Sequence, residues 1–145
     1  MELSTFGSVL SFAIGLEENA ARFYESAAGD ARLAAHKAEL LSLAEGNKKR
    51  RELLLTTRRE NVTEMVLEPI TGLRATDFEV SLPGLGATAP KAAFASAADL
   101  QTRSARFYSE VATQGKRFLA GVARTFTRMA RENEARLAEV KGMGG

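Results

Sequence analysis

Apolar residues recur at spacings of three and four along four stretches of the chain. The first stripe is Phe6, Leu10, Ala13, Glu17, Ala20, Tyr24 and Ala27. The second is Leu33, His36, Leu40, Leu43, Asn47, Arg50 and Leu54. The third is Phe94, Ala97, Gln101, Ala105, Tyr108 and Val111, and the fourth is Leu119, Val122, Phe126, Met129, Asn133, Arg136 and Val140. Such spacing places each set on one face of an α-helix. It predicts helices over about 4–28, 31–66, 92–113 and 116–141, with Ser4 and Asp30 as N-caps. The second helix must end before Pro69, and the segment from Gly142 to Gly145 is expected to fray.

Residues 67–91 carry no helical period. PITG and LPGLGATAP in this stretch are turn and loop sequences. Between them, Asp77 to Leu82 alternates as an extended segment would, with Phe78, Val80 and Leu82 expected to cover a core. The pattern is helix, helix, long connection, helix, helix, in one all-α domain over 1–145. Short links make antiparallel neighbours. The long connection lets the third helix run parallel to the second, as in the one-crossover bundles.

The two halves repeat each other. ENAARFYESAA, from Glu18, matches TRSARFYSEVA, from Thr102, and LSLAEGNKKR, from Leu41, aligns with TRMARENEAR, from Thr127. Ala-Arg-Phe-Tyr recurs, as do Ala44/Ala130, Asn47/Asn133 and Arg50/Arg136. These matches, in order and on the same faces, imply two related hairpins about a pseudo-two-fold axis. They also mean that an amide and a guanidinium sit on an inner stripe twice.

LSFAIGLEENAARFYESAA followed by LLSLAEGNKKRRELL resembles the rubrerythrin-type ferritin-like proteins, over nearly the whole chain. In that family the first helix of each hairpin carries a Glu seven residues before a Tyr, and the second carries Glu-x-x-His. Residues three apart share a helix face, so the two hairpins together present four carboxylates and two imidazoles to a di-iron or di-manganese centre. The resemblance implies that fold, a four-helix bundle with a crossover between helices 2 and 3. It maps the metal-site positions onto Glu17, Asn47, Arg50, Gln101, Asn133 and Arg136, with Tyr24 and Tyr108 beside them. Only Glu17 keeps its carboxylate. Gln101 replaces the second Glu, and Asn47/Arg50 and Asn133/Arg136 replace both Glu-x-x-His pairs.

Arg stays protonated and offers only donors, so it cannot ligate a cation. The replacements therefore suggest a polar network where the metals would lie, with Glu17 paired to Arg50 or Arg136 and the amides filling the remaining hydrogen bonds. One cation in excess leaves room for a small anion held by an Arg fork. His36 has no partner at ligand spacing. Tyr24 and Tyr108 are expected as core residues with hydroxyls bonded to the network. Whether Arg50 or Arg51 points inward depends on helix phase.

Composition changes this little. Of 145 residues, 45% are hydrophobic and 26% charged, which is ordinary for one globular domain. Cysteine is absent, which removes disulfides and thiolate metal sites. The formal charge is only +2, and no apolar run suffices for a bilayer. With no basic n-region either, a cytoplasmic protein is the default. Lys48, Lys49, Arg50, Arg51, Arg58 and Arg59 form the densest basic cluster, but no groove-reading or base-stacking motif accompanies it, so nucleic acid is not expected. Phe12, Phe23 and Phe107 fall off the inner stripes; they either pack between helices or form a second apolar face, and the latter suggests a homodimer contact.

The leading expectation is a non-catalytic binding, scaffold or regulatory protein without a metal or other cofactor. One alternative is an oxidoreductase or metal-handling protein, with iron or manganese held by Glu17 and by Glu45, Glu132 or Glu134. The other is a small-anion binder built on Arg50 and Arg136.

Overall fold

The computed structural model describes residues 6–60, 73–79, 90–115 and 120–144. Four helices make up the fold: α1 (Phe6–Ala28), α2 (Lys37–Glu60), α3 (Pro90–Gly115) and α4 (Ala120–Gly144). No strand occurs among the described residues. The expected cap at Ser4, the end of helix 2 beyond residue 60, Val80, Leu82 and Leu119 all lie outside the described residues, as does the side chain of Val122.

The helices pair as two hairpins, α1 with α2 and α3 with α4. Glu17 meets Arg50 and Glu25 meets Lys48, so α1 and α2 are antiparallel. Across the hairpins, Glu17 meets Tyr108 and Tyr24 meets Gln101, so α1 and α3 are antiparallel too.

The helix ends differ from the periodicity in ways with local causes. Asp30 does cap the second segment, its carboxylate accepting from the Arg32 amide at 2.9 Å. The first turn, Ala31–His36, is nevertheless a 3₁₀ helix kinked at Leu33, and α2 starts only at Lys37. The tighter turn puts Leu33 inside the core. α3 starts at Pro90 rather than 92, because proline is at home in a first helical position. α4 does not fray at Gly142: it runs to Gly144 and buries Met143. The expected extended segment begins instead as a 3₁₀ turn, Ala75–Asp77. Phe78 follows it and does cover the core, with its ring 5.3 Å from that of Phe107.

Two apolar clusters fill the bundle. One joins Val9, Leu10, Leu54, Phe78, Phe107 and Phe126 at one end. The other joins Tyr24, Leu33, Leu40, Phe94, Val140 and Met143 at the other. Phe23 and Phe107 are buried within these clusters, and Phe12 packs against Phe107 at 5.1 Å. They pack inside the chain and form no second apolar face; among the described residues Leu41 is the one large hydrophobic side chain left exposed. No described helix is long and apolar enough to cross a membrane.

Candidate functional site: a buried polar layer

Every helix interrupts its apolar stripe at the same level. Between the two clusters lie Glu17 of α1, Asn47 and Arg50 of α2, Gln101 and Ser104 of α3, and Asn133 of α4, all buried. Periodicity requires this. Asn47 and Arg50 are spaced three apart in the series Leu40, Leu43, Asn47, Arg50, Leu54, so α2 cannot bury its leucines without burying them.

Glu17 and Arg50 form the centre. Arg50 Nε donates to both Glu17 oxygens, at 3.1 and 3.2 Å, and both side chains are 3% exposed. Arg50 Nη2 donates to Asn47 Oδ1 at 3.0 Å, and the Tyr108 hydroxyl donates to Glu17 Oε1 at 2.7 Å. Arg50 Nη1 lies 3.5 Å from Glu132 Oε2, a carboxylate that reaches in from the rim of α4. Arg51 faces outward and pairs with Glu52. Of the two guanidiniums open to Glu17 on the sequence, Arg50 is the partner.

The other half is less complete. Gln101 Nε2 donates to the Tyr24 hydroxyl at 2.6 Å, but Gln101 Oε1 is buried with no hydrogen-bond partner. Turning the amide over would let Tyr24 donate to Oε1 and leave Nε2 unpaired instead. Asn133 uses its amide on its own helix, donating to the Met129 carbonyl oxygen at 2.8 Å. Arg136 crosses to α2, where Nη1 donates to the Leu43 carbonyl oxygen at 3.4 Å. Its guanidinium lies over Gly46, where any Cβ would collide with it. The network expected from the sequence therefore divides, with Arg50 inside it and Arg136 at its edge.

Burial pushes the Glu17 carboxyl above its usual range; the Arg50 charge and the Tyr108 hydrogen bond oppose this without cancelling it. Burial likewise pushes the Tyr24 hydroxyl up to about 12 and Tyr108 well above the ordinary phenol range. Arg50 is disfavoured by burial, yet the Glu17 carboxylate holds its charge more firmly than usual. For Arg136 the balance reverses: burial and the Arg50 charge lower it, and the carboxylates of Glu139, Glu132 and Glu17 oppose this without cancelling it.

The donor set does not fit a dinuclear metal centre. A guanidinium fills the space beside the one inner carboxylate, and no group of three His, Cys, Asp or Glu side chains among the described residues could hold a metal ion. Glu45 and Glu134 are exposed, and Glu132 faces Arg50 and Arg128. His36 packs edge-on against Phe94 with centroids 5.4 Å apart, away from the layer.

Three participants escaped the stripe pattern: Ser104, Glu132 and Gly46. For the last two the repeat held the signal, because it aligns Gly46 with Glu132. Each position lies where the opposite hairpin's arginine arrives: Arg50 meets a carboxylate, and Arg136 meets a glycine. Of the basic cluster Arg50 turns into the layer, while Lys48, Lys49, Arg58 and Arg59 are exposed, with Lys48 paired to Glu25 at 3.3 Å. Comparison of the chain with protein-family descriptions, with curated proteins and with solved structures finds no match in any of the three.

Proposed function

We propose that this chain is a ferritin-like four-helix bundle related to the rubrerythrins, in which a Glu17–Arg50 polar layer takes the place of the dinuclear metal centre. It works as a non-catalytic binding, scaffold or regulatory protein. The observation that carries this is Arg50. It is 3% exposed, bonded through Nε to both oxygens of Glu17, and it stands where the resemblance puts a histidine ligand. A fixed cation there meets the charge of Glu17 and repels a divalent metal.

The helix directions support the ferritin-like topology. α1 is antiparallel to both α2 and α3, so α2 and α3 run parallel and residues 61–89 connect opposite ends of the bundle. The sequence repeat supports the pseudo-two-fold axis. The Tyr108–Glu17 and Tyr24–Gln101 bonds join residues that the repeat makes equivalent.

The test is elemental analysis of protein expressed with added iron, manganese and zinc and purified without chelators. Metal far below one equivalent per chain is expected. A stoichiometric metal that disappears in Glu17→Ala would overturn the proposal and make peroxide-dependent oxidation the next assay.

A further inference from the structure

The repeat sets Glu17 against Gln101 and Arg50 against Arg136. In the first pair, carboxylate and guanidinium bond to each other. In the second, the carboxylate is replaced by an amide and the two residues part. Gln101 is 1% exposed with an unpartnered Oε1. Arg136 reaches from α4 to α2, where its one hydrogen bond among the described residues is to the Leu43 carbonyl oxygen at 3.4 Å.

Among the described residues, no ion pair joins Arg136 to a carboxylate. Glu132 lies against Arg50 and Arg128 instead, and Glu139 is exposed. Half-buried beside a second guanidinium, Arg136 carries a charge that burial and Arg50 disfavour and that Glu139, Glu132 and Glu17 offset only in part. Gly46 leaves the fork room against α2. Lys49, three residues on and exposed, shares the Gly46 face of α2. A guanidinium offers parallel N–H donors spaced for two oxygens of one anion.

We propose that Arg136 anchors a small-oxyanion site where it crosses from α4 to α2, taking a carboxylate or a phosphate as the negative charge that residue 101 lacks. The site rests on the metal-free reading of the layer. One N–H remains on Leu43, and the outer edge of the fork meets the ligand, with Lys49 as a second cation from the rim. Glu139 limits affinity for multiply charged ligands.

Thermal unfolding of the purified chain tests this, with potassium phosphate and potassium acetate titrated separately and ionic strength held with potassium chloride. A ligand that binds only the folded form raises the midpoint, by about 5 °C at ten times its Kd for a domain of this size. The rise is expected with at least one anion; acetate alone identifies a carboxylate site and phosphate alone a tetrahedral one. It is expected to vanish in Arg136→Gln and in Gly46→Ala, which evicts the guanidinium from its seat. Gln101→Glu, which supplies the acid internally, is expected to lose the response as well. Should Arg136→Gln fail to fold, the other two variants decide. No rise above the chloride control, or an equal rise in Gly46→Ala and Gln101→Glu, overturns the proposal. Metal analysis of the same preparations separates the failures: a metal-free protein with no anion response overturns only this site, whereas a metal-loaded one overturns the layer on which it rests.

Discussion

The Arg50 guanidinium lies against the Glu17 carboxylate with Nε 3.1 and 3.2 Å from its two oxygens, in the middle of the bundle. Taking two charges out of water costs about as much as their attraction returns, so the pair itself stabilises little. Removing one partner is different, because the other is left buried. Arg50→Met is expected to cost about 3–5 kcal/mol by urea unfolding, since Glu17 would keep only Tyr108. The double variant Glu17→Leu/Arg50→Met is expected to cost less than the sum of the singles by about 1–3 kcal/mol. Strict additivity would mean the two side chains do not bond in solution.

Glu17 sets a pH dependence with an unusual sign. Burial raises its folded pKa above the ordinary value of 4.5, so the folded state binds this proton more tightly than the unfolded chain does. The stability it contributes is complete below about 4.5 and is lost as pH rises through the folded pKa. Glu17→Gln removes the titration. The stability gap between the natural chain and this variant should therefore narrow as pH is raised from 4 towards neutrality, in urea titrations at each pH. A gap that widens over the same range would mean that Arg50 and Tyr108 outweigh burial.

The two tyrosines extend the argument to alkaline pH. With two Tyr and no Trp in the chain, ultraviolet difference spectra report on Tyr24 and Tyr108 alone. Tyr24 is expected to ionise at about 12 and Tyr108 not before the fold is lost, because burial disfavours both phenolates. Stability from this source is present below about 10 and falls as pH rises above it. A tyrosine titrating near 10 in the folded chain would place a hydroxyl at the surface.

Much of this was legible in the sequence, for a physical reason. The 3.6-residue period forces residues on one stripe to share one environment, so Leu43 and Leu54 drag Asn47 and Arg50 inside with them. The choice of Arg50 over Arg136 as the Glu17 partner was not legible. It depends on side-chain reach across helices, and on the absence of a Cβ at Gly46 that draws Arg136 away. Glu132 was missed because a long side chain beside the stripe can bend into it. Phe12, Phe23 and Phe107 were open between packing among the helices and forming a second apolar face; they pack among the helices, because a helix with neighbours on two sides buries an arc wider than one stripe.

Two glycines in helix interiors test where Arg136 sits. A Cβ at Gly15 meets nothing within 4 Å, so Gly15→Ala is expected to stabilise by about 0.5–1 kcal/mol through reduced backbone entropy of the unfolded chain. Gly46→Ala gains the same entropy but displaces the Arg136 guanidinium and its bond to Leu43. Its gain should be smaller or absent, and the Arg136 Nε–H resonance should shift. Equal gains at both positions, with that resonance unmoved, would put the guanidinium elsewhere.

If the layer descends from a dinuclear site, restoring the ligands should restore the metals. With Glu17 kept, the substitutions are Asn47→Glu, Arg50→His, Gln101→Glu, Asn133→Glu and Arg136→His. Together they place four carboxylates and two imidazoles on four helices at one level. The helix positions are already right, because Glu17, Asn47, Gln101 and Asn133 are all buried between the two apolar clusters. Six ionisable groups in one layer repel each other without a cation, so the variant should be destabilised when metal-free and rescued by iron or manganese, binding about two ions per chain. Elemental analysis and unfolding with and without manganese measure both effects. The control moves the substitutions of α2 and α4 one residue along, to Lys48→Glu, Arg51→His and Leu137→His, with Glu134 already an acid, which turns them off the inner face. A folded quintuple variant that binds no more metal than this control would remove the ferritin-like ancestry while leaving the Glu17–Arg50 layer as it stands.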